Sequence, residues 1–174
     1  MKTLIIIPSR LGATRLPGKP LLKINNKSII SHVFKKAEET NIGEVFVATQ
    51  DQAIIDDVKK NGGQAILTNK NHKTGTDRIN EAIKKLGRTD VELVMNLQGD
   101  EPLIKPSDFK KFINFAVKNK NVVTNAYALI NKKTKVNDTN IPKLVVSKDN
   151  FLLYMSRSPI PGSKNKNYDI KSLK

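Results

Sequence analysis

The sequence predicts an α/β domain built on a mainly parallel sheet. Three observations carry that prediction. Between residues 3 and 118, short apolar runs alternate four times with amphipathic stretches of helical period. The connections between them are short and rich in Gly, Pro and Asn. The first run, Leu4-Ile5-Ile6-Ile7, is apolar at every position, the pattern of a strand covered on both faces.

Taken in order, Thr3–Ile7 is the first strand, and it runs into a polar loop, Pro8–Pro20, punctuated by Gly12 and Gly18. After a turn at Asn25-Asn26, the spacing of Ile29, Ile30, Val33, Phe34 and Ala37 predicts a helix from Ser28 to Thr40. Gly43 precedes the second strand, Glu44–Thr49. Asp51 is placed to cap a helix whose apolar face is Ile54, Ile55 and Val58, and which stops at Asn61-Gly62-Gly63. Gln64–Leu67 is the third strand. Asp77–Leu86 is a helix with Ile79, Ala82, Ile83 and Leu86 on one face, and Thr76 is its candidate N-cap. Leu93–Leu97 is the fourth strand, and Pro106 opens a helix through Phe109, Phe112, Ile113 and Ala116. Beyond Asn121 the pattern changes. Val122–Ile130 reads as a strand, Lys132–Asn140 as a polar loop, and Lys143–Val146 and Phe151–Met155 as strands around Lys148-Asp149-Asn150. Gly162–Lys174 is nearly devoid of apolar residues, so residues 1–161 are expected to form the domain and 162–174 a poorly ordered tail.

The 174 residues are enough for one core that buries roughly 68–70% of the unfolded chain's surface. The absence of Cys excludes a disulfide scaffold, a thiolate metal site and a Cys nucleophile. The opening apolar run ends at Pro8 after four residues, too short for a secretory signal, and nothing approaches a membrane span. A cytoplasmic protein is expected, with no membrane partner. The net charge of +15 comes from 31 basic and 16 acidic residues, but only five of the basic residues are Arg. The lysines are scattered singly and in pairs, a solvated surface rather than a nucleic-acid footprint, and the chain has no Trp and only 5% aromatics to stack on bases. No nucleic-acid partner is expected. The sparse arginines are the better pointers.

In an open α/β sheet, ligands sit at the carboxyl ends of the strands. The loop leaving the first strand there gathers Arg10, Arg15 and Lys19 with Gly12 and Gly18. Glycines let backbone approach a phosphate, and three cations can neutralise a triphosphate. It is not a Walker A loop: Gly12 and Gly18 stand one residue too far apart, and Pro20 replaces the Ser/Thr after Lys19. A solvated basic turn is the plain alternative, and the packing of three cations between two prolines favours the phosphate loop. Gln98-Gly99-Asp100-Glu101-Pro102, leaving the fourth strand, brings a carboxylate pair to the same edge. Such a pair suits Mg²⁺ bridging substrate phosphates; alone it could equally be an ordinary strand-to-helix turn. His72 through Arg78 offers a Thr/Gly-rich turn that could cap a ligand or merely a helix, and His72 has no second His at metal-ligand spacing. In Ser156-Arg157-Ser158-Pro159-Ile160-Pro161, one Arg could fork onto a carboxylate.

Together these segments resemble the 3-deoxy-manno-octulosonate cytidylyltransferases, or CMP-Kdo synthetases. The resemblance lies in Ile7-Pro8-Ser9-Arg10 with Thr14 through Leu21, Val47-Ala48-Thr49 with Asp51, His72 through Arg78, Gln98 through Pro102, and Tyr154 through Pro161. It implies a Rossmann-like, three-layer nucleotidyltransferase fold of the nucleotide-diphospho-sugar transferase type. The implied reaction is CTP + Kdo → CMP-Kdo + diphosphate, serving lipopolysaccharide synthesis, with Mg²⁺ as cofactor. It implies that Lys19, Asp100 and Arg15 are catalytic, with Asp100 the metal ligand. Pro8, Arg10, Leu11, Arg15, Lys19, Thr74, Arg78, Gln98 and Arg157 would bind substrates, Arg157 near the Kdo carboxylate. It also implies a homodimer for the family's longer members. Those members continue past the element matched by Ser156–Pro161 into a sugar-binding and dimerising lobe whose Val-Asp-Thr motif supplies a second metal carboxylate. Nothing after Pro161 matches that lobe, and Asp169 is a poor substitute. A shortened synthetase that binds CTP weakly and turns over poorly is therefore expected. The rival readings are a CMP-transferase for another acidic sugar (8-amino-Kdo or a nonulosonic acid), an inactive nucleotide-binding fragment, and a basic nucleic-acid-binding domain.

Overall fold

The computed structural model describes residues 2–12, 16–119, 122–130 and 136–162. The chain divides into two compact units, Met1–Thr124 and Asn125–Lys174.

The first unit is a four-stranded, all-parallel sheet of β1 (Thr3–Ser9), β4 (Glu44–Thr49), β5 (Ala65–Leu67) and β6 (Leu93–Asn96), in the order β5-β4-β1-β6. Helices α1 (Ile29–Glu38), α2 (Gln52–Lys60), α3 (Gly75–Leu86) and α4 (Pro106–Lys118) connect or follow these strands. A two-strand hairpin, β2 (Lys23–Ile24) with β3 (Lys27–Ser28), precedes α1. Its turn is Asn25-Asn26, both at positive φ, a conformation that Asn tolerates better than most residues.

The uninterrupted isoleucine run is explained by the two faces of β1. Ile5 and Ile7 pack with Ile30, Val33, Phe34, Ile54, Val58, Phe109 and Ile113, so α1, α2 and α4 cover that face. Leu4 and Ile6 point the other way, onto Ile79 and Ala82 of α3. The result is the three-layer arrangement that the alternating elements predict. At Ser28, the side chain accepts the Ser31 amide to cap α1, and the Ser28 and Ser31 hydroxyls both donate to Asp57 of α2. That ties the two helices together.

Four local expectations need correction. First, β1 runs on to Ser9, with Pro8 opposite Ala48 and Ser9 opposite Thr49. Pro8 shares the parity of Ile6, whose carbonyl accepts the Leu97 amide on the β6 side. Because β6 ends at Asn96, the missing Pro N–H falls where no ladder partner is needed. Second, α3 begins at Gly75, capped by Thr74 rather than Thr76. The Thr74 hydroxyl accepts the Asp77 amide, while the Asp77 carboxylate accepts from the Thr74 amide and hydroxyl. This reciprocal box uses the Thr-x-x-Asp spacing, and the Thr74 bonds hold the Asp77 carboxyl below its usual pKa. Third, Asp51 sits at the N-cap position of α2, but its side chain makes no cap bond. Fourth, residues 122–130 carry no strand. Val123 is 94% and Leu129 84% exposed, so the apolar side chains that suggest a strand here are not packed into a core.

In the second unit, β7 (Lys143–Val146) pairs antiparallel with β8 (Leu152–Ser156), turning through Asn150 at φ 64°. The hairpin lies where the sequence places it, one residue later at β8. Residues 132–135 of the expected loop 132–140 and nearly all of the 162–174 tail lie outside the described residues. Among the described residues, no helix is long and apolar enough to cross a membrane.

Candidate functional site

The strand order fixes where chemistry can occur. From β1 the chain steps outward to β4 and β5, then crosses back to β6 on the other side of β1. The direction of winding reverses between β1 and β6, and in open α/β sheets ligands bind outside the carboxyl ends of the strands at such a point. Of the loops leaving these two strands, the first begins after Ser9 and leads to the turn at Lys19, and the second follows Asn96 and carries Gln98–Pro102.

Pro8 marks the point of convergence. A Cβ on Gly75, at the start of α3, would lie 3.3 Å from Pro8 Cγ. One on Gly99 would lie 3.3 Å from the Pro8 carbonyl oxygen and 3.2 Å from Ile30 Cδ1. Any side chain at either glycine would have to push its neighbours aside, so glycine lets three loops meet over the end of β1. Between the loops that follow β1 and β6, the Lys19 ammonium meets the Asp100 carboxylate at 2.8 Å. Both groups are partly open to water, at 35% and 54% exposure. An ion pair that open contributes little to folding, which leaves each partner available to a ligand at small cost.

The loop that follows β1 is closed at its base. The Gly18 amide donates to the Leu11 carbonyl at 3.1 Å, and Gly18 adopts φ 71° to do so. The Leu11 amide in turn donates to the Asp51 carboxylate at 2.8 Å. Lys19 then starts the 3₁₀ turn Lys19–Leu21 that leads out of the loop. Arg10 is exposed beside the closure. Arg15 lies outside the described residues.

The remaining expected residues divide. Thr74 is exposed at the N-terminus of α3, next to Pro8 through Gly75. Gln98 is exposed, and its side-chain amide donates to Asn96 Oδ1 at 3.2 Å. Arg78, in contrast, is only 3% exposed. Its guanidinium donates to the Thr68 hydroxyl, to the Asn69 carbonyl at 3.2 Å and to Gln50 Oε1 at 2.8 Å. It braces the exits of β4 and β5 against each other. Burial lowers its pKa, while the nearby Asp51 carboxylate raises it. Arg157 belongs to the second unit, where its guanidinium donates to the Thr139 and Asn140 carbonyls at 3.0 and 3.3 Å.

Sequence reasoning missed two supports of this edge. One is Asp51, which reads as a helix cap and serves instead as the acceptor for Leu11. The other is Glu81, which takes the Asn69 amide at 3.0 Å, His72 Nε2, and Lys85 at 2.8 Å. Bonds from Lys85, the Asn69 backbone and His72 lower the Glu81 pKa to about 2. The signal for Glu81 was slight, since an acid on the second turn of a helix usually faces water.

The donor set at this edge suits a hard cation that brings its own ligands. Among the described residues, no three His, Cys, Asp or Glu side chains converge into a protein-made cage. The protein's share would be the Asp100 carboxylate, with Glu101 beside it in sequence. Mg²⁺ is commonly held by one or two carboxylates, with phosphate and water oxygens filling the rest of its shell.

The sequence matches the family model described as cytidylyltransferase over residues 4–173. It is 42% identical over 172 residues to 3-deoxy-manno-octulosonate cytidylyltransferase of Thermodesulfovibrio yellowstonii, covering 95% of this chain and 68% of that protein. It is 39% identical to 8-amino-3,8-dideoxy-manno-octulosonate cytidylyltransferase of a Shewanella species, covering 98% of this chain and 71% of that protein. Among solved structures, CMP:2-keto-3-deoxy-manno-octonic acid synthetase complexed with CTP superposes with a TM-score of 0.79 at 37% identity, covering 95% of this chain and 68% of that one.

Proposed function

The chain belongs to the cytidylyltransferase family of nucleotidyltransferases, and we propose that it serves the Mg²⁺-dependent transfer of CMP from CTP to 3-deoxy-D-manno-octulosonate (Kdo). The observation that carries this reading is the meeting of Lys19 and Asp100 between the loops that follow β1 and β6, one cation and one carboxylate at the point where the strand order reverses. The likeness to a synthetase solved with CTP supports the choice of nucleotide.

In this reading, Arg10 and Lys19, together with Arg15, neutralise the triphosphate. The backbone of Pro8 and Leu11 lines its path, and Thr74 and Gln98 border the nucleotide and sugar. Asp100 would hold Mg²⁺, which when bound would neutralise charge on the phosphate oxygens. Arg78 acts from within the protein, holding the β4 and β5 exits that frame the pocket. Arg157 is assigned to the Kdo carboxylate. The sugar's anomeric hydroxyl attacks the α-phosphorus, the bond to the β-phosphate oxygen breaks, and diphosphate leaves. No covalent enzyme intermediate is required, so positioning and charge neutralisation carry the catalysis. The product would enter lipopolysaccharide assembly, and the reaction belongs to the cytoplasm.

A second reading, transfer to 8-amino-Kdo, is favoured by the 39% identity to enzymes named for that sugar. The test is diphosphate release from CTP and Mg²⁺ with each sugar in turn. Slow release that depends on Kdo and exceeds that with 8-amino-Kdo supports the first reading. The reverse preference selects the second. Release indifferent to any sugar would refute both.

A further inference from the structure

We propose that Asp51 is a positioning residue for nucleotide binding: through the Leu11 amide it holds the base of the loop after β1, where Leu11 meets Gly18, rather than capping α2. The inference rests on the CTP reading above only for its functional consequence; the tether itself stands on geometry.

Asp51 occupies the N-cap position of α2, and its backbone carbonyl accepts the Ile54 amide at 3.0 Å and the Ile55 amide at 3.3 Å. A capping side chain would bend back to the amides of the first turn. The Asp51 carboxylate makes no such bond. Its Oδ2 accepts the Leu11 amide at 2.8 Å, forty positions away in sequence. The Asp51 backbone is itself anchored, because its amide donates to the Thr49 hydroxyl at 3.1 Å, and Thr49 is fully buried at the end of β4. The carboxylate therefore projects from the rigid sheet into the base of the neighbouring loop.

Leu11 is where such a tether has the most leverage. Its amide is held by Asp51, and its carbonyl closes the loop by accepting the Gly18 amide. Arg10 precedes the clamped residue and Lys19 follows the clamping glycine. Both ends of the loop that carry cations are thus fixed to the β4 exit through one carboxylate. Fixing backbone on a ligand costs entropy, and a base already held at Leu11 and Gly18 lowers that cost. Losing the tether would weaken binding of a polyphosphate by loosening Leu11 and the Gly18 closure, although Asp51 itself is assigned no contact with the ligand.

Two substitutions separate this role from capping. Asp51→Ser supplies a good N-cap hydroxyl to α2 but is too short to reach Leu11. Asp51→Asn keeps the length and a carbonyl oxygen that can accept the Leu11 amide. The first measurement is hydrogen exchange at the Leu11 amide of the full chain, which needs no substrate. Protection is expected in wild type and in Asp51→Asn, and its loss in Asp51→Ser. The second is titration of CTP with Mg²⁺, where Asp51→Ser is expected to bind about tenfold more weakly and Asp51→Asn close to wild type, with the thermal midpoint preserved in both. If Asp51→Ser keeps Leu11 protected, or binds CTP as wild type does, the tether is refuted. If wild type binds no CTP, the functional reading fails, and the exchange data still decide whether Asp51 holds the loop.

Discussion

The two ends of the same sheet treat charge in opposite ways. At the amino end, Arg88 reaches both Glu44 and Asp90, Lys2 bonds Asp90 at 2.6 Å, and the Lys2 amide donates to Glu92 at 3.1 Å. These bonds join the residues leading into β1 and β6 to the first residue of β4. They raise the Arg88 pKa, through Asp90 first and then Glu44, and lower that of Asp90 through Arg88 and Lys2. Charge there is closed upon itself. At the carboxyl end, Arg10 is exposed, the Lys19–Asp100 pair stands half open, and Asp51 holds backbone rather than a cation. Similar residue types staple strand starts at one end; at the other, Arg78 and Glu81 brace the edge, and Arg10, Lys19 and Asp100 are the charges that the proposed reading presents to a ligand. What separates the two ends is exposure: the Lys19–Asp100 pair and Arg10 stand open to water, whereas Arg88 is tied to two carboxylates.

Substitutions at the two ends should therefore have opposite signatures. The largest effect is expected for Asp100→Asn, which should reduce sugar-dependent diphosphate release about a hundredfold while leaving the thermal midpoint unchanged; a large fall in stability instead would make the carboxyl end structural. Next, Arg88→Ala should lower the thermal midpoint without altering CTP affinity. Because that network is at the surface, the loss should shrink as salt is raised. A change in CTP affinity would break the contrast between the ends.

A smaller effect should appear with pH. The Glu81 carboxyl falls from an ordinary value near 4.5 to about 2 in the folded chain. A depressed folded-state pKa stabilises above the unfolded value and loses that stabilisation as pH falls toward the folded one. Glu81→Gln should therefore be less stable than wild type at neutral pH, and the two melting curves should converge between pH 4.5 and 2. A gap that stayed constant down to pH 2 would show that the Glu81 bonds do not depend on its charge.

Much of this was legible in the sequence because it rests on local pattern. The isoleucine run of β1 announces two covered faces, and the spacing of Ile54, Ile55 and Val58 announces α2. The cation loop and the Gln98-Gly99-Asp100 turn are visible because each directly follows an apolar strand. What stayed hidden depends on partners distant in sequence. Asp51 is an N-cap by local chemistry, and only the approach of Leu11 redirects it. Arg78 reads as a ligand-facing cation because nothing nearby in sequence reveals that Gln50 and Thr68 enclose it. Residues 122–130 look like a strand by composition, but a strand also needs a neighbour, and composition does not supply one.

The central claim, that the β1 and β6 exits form a CTP site, is tested most directly by titrating CTP with Mg²⁺ into wild type and Lys19→Ala. Saturable binding of one CTP per chain is expected in wild type, weakened about tenfold or more in the variant. Equal affinity in the two proteins, or no binding to wild type, would contradict it.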